Sequence, residues 1–272
     1  SVGSSLTIQI HFNMANILRR KGGTVVPPSD FQSERTETPV RADVSAHFST
    51  GAPLHTRAHN DFSGINVLIA CEESQIECLA FRALGANAFS CDIQPCSGGH
   101  PEWHICGDVT PLLNGCAEFQ TDDGCTRQVS KWHLIIAHPP CTYLSRAAGA
   151  YLYSGHQLNE QRYKLGLQAA QFFLQCYNAK ADYVAVENPT PFKIFNLPRP
   201  TTFVQPYQFG EAWQKKTLLW LKNLPPLMPT LFAPSFKSYV HCTKGGKKRS
   251  KSFTGIARAM AEQWLPFIKQ QH

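Results

Sequence analysis

From residue 65 onward, short apolar runs alternate with longer stretches in which apolar side chains recur every three or four residues. The short runs predict buried β-strands at 65–71, 88–92, 104–106, 134–137, 183–187 and 217–221. The longer stretches predict amphipathic helices at 75–84, 158–178 and 254–269. Because strands and helices alternate, we expect an α/β fold with a mostly parallel sheet and helices on both of its faces.

Residues 1–62 lack such a period. They are rich in Ser, Thr, Pro and charged side chains, a composition typical of a mobile segment. We therefore expect a flexible leader over 1–62, in which Met14 is a candidate native start, and one folded domain over 63–272.

Composition narrows the setting of the protein. The ten cysteines among 272 residues include no Cys-x-x-Cys pair, which argues against a disulfide scaffold and for a reduced, cytoplasmic compartment. No stretch approaches the roughly 18 uninterrupted apolar residues of a membrane span, so we expect a soluble protein with no membrane partner. The net charge of +7 favours polyanions such as nucleic acid, although it also fits a protein that is merely basic.

Two of the predicted strands end in side chains that can carry chemistry. The strand 134–137 runs into His138-Pro139-Pro140-Cys141, and the strand 183–187 ends in Glu187-Asn188. The carboxyl ends of strands in an open α/β sheet form its ligand-binding edge, where a cysteine can act as a nucleophile beside a carboxylate. The alternatives are that Cys141 is a small buried hydrophobe and that Glu187 is a solvated charge at a strand end.

Taken in order, Pro140-Cys141, Glu187-Asn188 and Gln214-Lys215-Lys216 resemble motifs of the cytosine-C5 DNA methyltransferases. The resemblance covers about residues 65–268 and is greatest to compact phage and prophage members without a large target-recognition domain. It implies a Rossmann-like, S-adenosylmethionine-dependent fold, a monomer, and a bacterial or phage-infected host cell.

The resemblance also implies a catalytic set of Cys141, Glu187 and Asn188. A thiolate adds to C6 of cytosine so that C5 can attack a methyl donor. Glu187 would hold N3 and the exocyclic amine during this addition. The target cytosine has to leave the DNA duplex, because a stacked base admits no side chain to either face.

For the cofactor, the resemblance implies a turn after the first strand and acids after the next two. Asp92 stands where an acid would take the ribose hydroxyls, Asp108 where one would contact the adenine amine, and Glu72 where one would meet the amino group of the methionine moiety. Helix capping is the alternative role of Glu72, and the first turn lacks the Phe-x-Gly-x-Gly pattern of the family. The expected cofactor contacts are Cys71, Glu72, Asp92, Ile93, Asp108 and Pro139.

Basic residues after the second site strand are candidates for DNA contact. Lysines replace the family's arginines at 215 and 216, and a loop at 237–252 without any acid takes the place of a recognition domain. We expect phosphate contacts with little sequence preference; the alternatives are a charge-protected edge strand and a solubilising charge run. The expected DNA contacts are Lys215, Lys216, Lys244, Lys247, Lys248, Arg249 and Lys251.

One predicted loop contains four side chains of the types that bind metal ions. The glycines and the proline between them favour an ordinary connection between a strand and a helix. We therefore expect no metal ion there. These side chains are Cys96, His100, His104 and Cys106.

Three other functions stay open. The His138–Cys141 segment could be a variant of the Asp-Pro-Pro-Tyr loop of amino-group methyltransferases, which methylate adenine N6 or cytosine N4. The chain could also bind nucleic acid without catalysis, or act on free pyrimidine nucleotides.

Overall fold

The computed structural model describes residues 62–154, 157–243 and 251–272. The predicted leader up to residue 61, and residues 244–250 of the predicted basic loop, lie outside the described residues. Within the described ranges, no helix has both the length and the apolar character that crossing a membrane demands.

A seven-stranded sheet forms the centre of the molecule. Its strands are β1 (Asn66–Ala70), β2 (Asn87–Asp92), β3 (His104–Cys106), β4 (Leu134–Ala137), β5 (Tyr183–Asn188), β6 (Thr202–Val204) and β7 (Thr217–Lys222). They lie in the order 3-2-1-4-5-7-6, and all neighbours are parallel except that β7 is antiparallel to both β5 and β6. The predicted mostly parallel α/β fold is therefore confirmed, and its order is the doubly wound 3-2-1-4-5-6 with one antiparallel strand inserted.

Helices cover both faces of this sheet, as predicted. The helices of the described residues are α1 (Ile76–Ala83), α2 (Thr110–Leu113), α3 (Glu160–Tyr177), α4 (Tyr239–Cys242) and α5 (Thr254–Gln271), of which α1, α3 and α5 pack on the sheet. Helices α1 and α5 share one apolar cluster with the sheet. Helix α3 packs on the opposite face, where the ring of Phe173 meets that of Trp220 edge-on at 4.9 Å.

The central strands β1 and β4 are almost wholly apolar because both of their faces are covered. In β1, Val67 and Ile69 belong to the cluster under α1 and α5, whereas the intervening Leu68 is equally buried on the other side. Full burial of one such aliphatic side chain contributes about 1.5–3 kcal/mol. Continuous apolar character is thus the reason that these strands could be predicted from the sequence.

Several short strands and helices were not predicted from the sequence. Besides β6, α2 and α4, they are the two-stranded pairs Glu118–Gln120 with Thr126–Gln128, Tyr153–Ser154 with Gln157–Leu158, and Trp213–Gln214 with Lys237–Ser238. Four 3-10 turns add to these, at Pro101–Trp103, Arg146–Tyr151, Lys193–Phe195 and Pro206–Gln208.

Two predicted boundaries need correction. Phe62, assigned to the leader, is buried in the cluster under α1 and α5. The basic loop expected from residue 237 begins instead with the short strand Lys237–Ser238 and helix α4, because backbone pairing with Trp213–Gln214 extends the folded part of the chain.

Candidate active site

The Pro139-Pro140-Cys141 turn leaves the sheet at the carboxyl end of β4. The carbonyl of Cys141 accepts hydrogen bonds from the backbone N–H groups of Leu144 (3.1 Å) and Ser145 (2.9 Å), so the turn is tight. Cys141 is only half-buried, whereas cysteines that serve as core hydrophobes are enclosed, as Cys78 is. Its position therefore fits a reactive role better than a packing role.

An arginine holds this turn from outside. Arg162, near the start of α3, donates from Nη2 to the carbonyl of Thr142 at 2.7 Å. Its guanidinium lies 4.9 Å from the ring centre of Tyr143 and 5.2 Å from that of Tyr151. The backbone that follows Cys141 is thus held by a contact with the side chain of Arg162.

The loops that follow β4 and β5 are bonded to each other. The side chain of Asn188 donates from Nδ2 to the carbonyl of Pro139 at 2.7 Å. Farther out, the N–H of Arg146 donates to the carbonyl of Thr190 at 2.9 Å. The predicted catalytic segments, one with Cys141 and one with Glu187 and Asn188, are therefore brought together at one edge of the sheet.

The strand register places His138 beside Glu187. Ala137 pairs with Val186, so the next residue of each strand continues the pair. Nδ1 of His138 lies 2.8 Å from Oε2 of Glu187, and Nε2 lies 3.2 Å from Oε2 of Glu77 on α1. The side chain of Glu77 is 1% exposed, that of His138 14% and that of Glu187 19%. A buried histidine thus connects two carboxylates.

The charges in this group stabilise one another. Burial alone would lower the pKa of His138, but the charge of Glu77 and the hydrogen bond to Glu187 raise it well above its ordinary value. Burial would raise the pKa of Glu187, yet the hydrogen bond and charge of His138 and the charge of Lys215 lower it. Burial acts likewise on Glu77, whose pKa His138 brings down to about 2. These shifts in pKa favour an imidazolium between two carboxylates.

Glu72, a predicted cofactor contact, lies underneath this group. Its carboxylate accepts from the backbone N–H of Glu77 at 2.7 Å and from that of Cys78 at 3.4 Å, so it caps the first turn of α1. Burial and the negative charge of Glu77 raise its pKa well above the ordinary value. The structure places Glu72 in the capping role that was the alternative for this residue.

The other predicted cofactor acids lie over β1 to β3. Asp92 ends β2, and its Oδ1 accepts from the N–H of Gln94 at 2.9 Å. Asp108 follows β3, and its Oδ1 accepts from the N–H of Thr110 at 2.9 Å, at the start of α2. Burial raises the pKa of the Cys71 thiol, and the charges of Asp92 and Asp108 raise it further. The turn after β1 and both acids therefore form one cluster.

Two further predicted cofactor contacts lie at this edge. Ile93 is 42% exposed beside Asp92. Pro139 presents its carbonyl to Asn188 rather than to solvent.

The described lysines of the predicted DNA surface are distributed along the same edge. Lys215 lines a narrow cleft together with Glu187, Glu77 and Phe253. Nζ of Lys216 lies 4.6 Å above the ring of Phe203, and Nζ of Lys251 lies 3.4 Å from Oγ of Ser97. Lys244, Lys247, Lys248 and Arg249 lie outside the described residues.

The loop with metal-ligand side chains uses its histidines in hydrogen bonds. Nδ1 of His104 lies 2.8 Å from Oγ of Ser90, and its Nε2 lies 2.9 Å from the carbonyl of Gln94. Nδ1 of His100 pairs with Glu102 at 2.9 Å. In the described ranges, this loop is not among the groups of side chains that are close enough to share one metal ion.

Sequence reasoning did not select His138 or Glu77 as site residues. Two signals were available: Glu77 is an acid on the otherwise apolar face of α1, next to Cys78 and Phe81, and His138 directly extends a buried strand. Neither signal identifies a partner, because the residues meet only after β4, β5 and α1 have packed.

No protein-family model matches this chain, and the search of curated proteins gives no match either.

Proposed function

We propose that the protein is a DNA methyltransferase that moves a methyl group from S-adenosylmethionine to C5 of cytosine through a covalent bond between Cys141 and C6. The observation that carries the proposal is the adjacency of the Pro-Cys turn and the Glu187-Asn188 strand end. The β4–β5 register and the hydrogen bond from Asn188 to Pro139 create this adjacency.

The residues supply the required chemistry in order. Sγ of Cys141 adds to C6 of the extruded base, and the electron pair of the C5–C6 double bond becomes available at C5. Glu187 faces N3 and the exocyclic amine of the base, and a proton delivered from solvent to N3 through its carboxyl group neutralises the negative charge that the addition sends into the ring. After C5 has gained the methyl group, a base removes the C5 proton and the thiolate leaves C6.

The cluster over β1 to β3 fits the proposed methyl donor. S-adenosylmethionine, when bound, supplies an electrophilic methyl group. Asp92 and Asp108 offer carboxylates, which suit the hydroxyl and amine donors of an adenosine moiety. Both lie at the carboxyl edge near the switch in strand order between β1 and β4, which is where open α/β sheets bind ligands.

The surroundings of His138 favour attack on C5 over amino-group methylation. In an amino-group enzyme the residue ahead of the two prolines would have to accept from the target amine. Here both ring nitrogens of His138 face carboxylates of the protein. The side chain next in line for a substrate is therefore Cys141.

Trapping tests this proposal. The full chain is incubated with S-adenosylmethionine and a DNA duplex containing 5-fluorocytosine, whose fluorine cannot leave as a proton does. We expect a denaturant-resistant protein–DNA adduct, which Cys141→Ala abolishes. Cys125→Ala is the matched control, because Cys125 is exposed in a distant hairpin. Methylation of normal cytosine DNA by Cys141→Ala at the wild-type rate would contradict the covalent route.

A further inference from the structure

The His138 ring occupies a confined position between three elements. Glu77 approaches it from α1 and Glu187 from β5, while the backbone N–H of His138 donates to the carbonyl of Ala70 in β1 at 2.9 Å. Oε2 of Glu77 and Nε2 of His138 are both buried, and among the described residues their 3.2 Å approach is an ion pair without the alignment of a hydrogen bond. The opposite charge of His138 is therefore the main electrostatic compensation of the buried Glu77 carboxylate.

We propose that His138 is a positioning residue, which bridges Glu77 and Glu187 as an imidazolium and fixes the orientation of the Glu187 carboxyl group for the target base. This inference rests on the proposed function, because the base that Glu187 would hold is the cytosine of that reaction. The bridge itself is a property of the folded chain.

With both carboxylates ionised, the geometry fits a doubly protonated ring. A neutral imidazole carries one N–H, so one nitrogen lone pair would face a carboxylate oxygen at 2.8 or 3.2 Å. One ligand atom from each of Glu77, His138 and Glu187 lies within 4.8 Å of the others, so a metal ion is the alternative that protonation of both ring nitrogens would exclude. A proton on each nitrogen satisfies both carboxylates at once.

The charges that face the ring are consistent with this state. Glu77 on α1 and Glu187 on β5 contribute two negative charges, which His138 and Lys215 balance. Burial and the negative charge of the neighbouring Glu77 raise the pKa of Glu72, under α1, which favours its neutral form. The group is therefore neutral as a whole, which lowers the free-energy cost of burying its members.

Imidazole nitrogen signals test the bridge without any reaction. In the full chain labelled with ¹⁵N-histidine, the resonance missing in His138→Gln identifies the ring. We expect both nitrogens to stay protonated well above pH 6.5, the ordinary pKa of histidine. Glu77→Gln and Glu187→Gln should each shift the titration to lower pH. A ring that is neutral at pH 6.5, or that titrates identically in all three proteins, overturns the proposal.

Adduct formation tests the consequence for catalysis. At neutral pH, His138→Gln should slow single-turnover adduct formation on 5-fluorocytosine DNA by about 10²-fold, the effect of a misplaced catalytic group, while the Kd for DNA stays unchanged. Glu77→Gln, which leaves Glu187 untouched, should slow it by a smaller factor. The rate of adduct formation by the wild-type protein should fall as alkaline pH removes the bridging proton. The rate of His138→Gln should not show this fall at alkaline pH.

His133→Gln is the matched control, because His133 precedes β4 at the opposite edge of the sheet. It should leave the rate and the pH profile unchanged. A His138→Gln protein with the wild-type rate and profile overturns the positioning role. Absence of any adduct with the wild-type chain overturns the proposed function and this catalytic role together, while the nitrogen titration still decides the bridge.

Discussion

The two halves of the carboxyl edge hold their acids in different ways. Over β2 and β3, Asp92 and Asp108 each accept from a backbone N–H two residues farther along the chain, at 2.9 Å. Over β4 and β5, Glu187 is held by His138, and His138 by Glu77, from three separate elements. The first half is built locally, and the second exists only in the packed molecule. A conservative substitution in the first half should therefore change only one contact with a ligand. A conservative substitution in the second half should also disturb the other residues of the group.

Glu187→Gln should have the largest effect. Glutamine preserves the shape but removes the charge from the base and from the His138 imidazolium. Loss of one preorganised electrostatic contact of this kind costs about 10²–10³-fold in rate. Single-turnover methylation of a cytosine duplex measures the loss, and far-ultraviolet circular dichroism controls for folding. A rate within threefold of wild type would show that the second half does not contact the base.

Asp92→Asn and Asp108→Asn should each act on the cofactor alone. Asparagine keeps the oxygen that accepts from Gln94 or Thr110, so the local turn survives. Loss of the charge should raise the Kd for S-adenosylmethionine by about tenfold, or 1.4 kcal/mol, measured by calorimetry. At saturating cofactor, the adduct rate should match the wild-type rate. If neither variant changes the Kd for S-adenosylmethionine, Asp92 and Asp108 do not contact the cofactor.

Lys216→Gln and Lys251→Gln should have smaller, additive effects on DNA affinity. Each lysine that contacts a phosphate contributes about 0.9 to the slope of log K against log salt concentration. Fluorescence anisotropy from 50 to 200 mM salt measures the slope. Lys222→Gln is the control, since Lys222 is exposed at the other end of β7. If the slope is the same for all three variants and the wild type, Lys216 and Lys251 do not contact DNA phosphates.

The smallest effect concerns stability against pH. Because the pKa of His138 is raised in the folded protein, its contribution to stability is complete below pH 6.5 and is lost as the pH rises through the folded-state value. Glu77, whose pKa is lowered to about 2, contributes above pH 4.5 and loses this contribution as the pH falls. Urea unfolding between pH 4 and 9 should show a decline above pH 6.5 that His138→Gln flattens.

His133 provides a control of opposite sign for that experiment. Burial lowers its pKa, so its contribution to stability grows as the pH rises toward 6.5. His133→Gln should remove this gain and leave the decline above pH 6.5 intact. An unaltered decline in His138→Gln would mean that the ring is not charged in the folded state.

Hydrophobic periodicity predicted most of the sheet within one or two residues. The strand expected at 134–137 is β4 (Leu134–Ala137), and the helix expected at 254–269 is α5 (Thr254–Gln271). Strand β6 (Thr202–Val204) was not predicted, since its three residues lie in a proline-rich stretch and depend on pairing with β7 and on the burial of Val204. Long apolar elements can be predicted from their own hydrophobic pattern. Short elements depend on pairing with another segment, which the local sequence does not identify.

The sequence by itself determined the α/β alternation and the strand ends that carry Cys141, Glu187, Asp92 and Asp108. Only the tertiary structure decided that Glu72 caps α1 and that His138 and Glu77 lie beside Glu187. It also decided that the charges of these three buried side chains offset one another. The physical reason is that periodicity and local hydrogen bonds depend on neighbours along the chain. The protonation state of a buried group depends instead on burial and on charges that packing brings from distant elements.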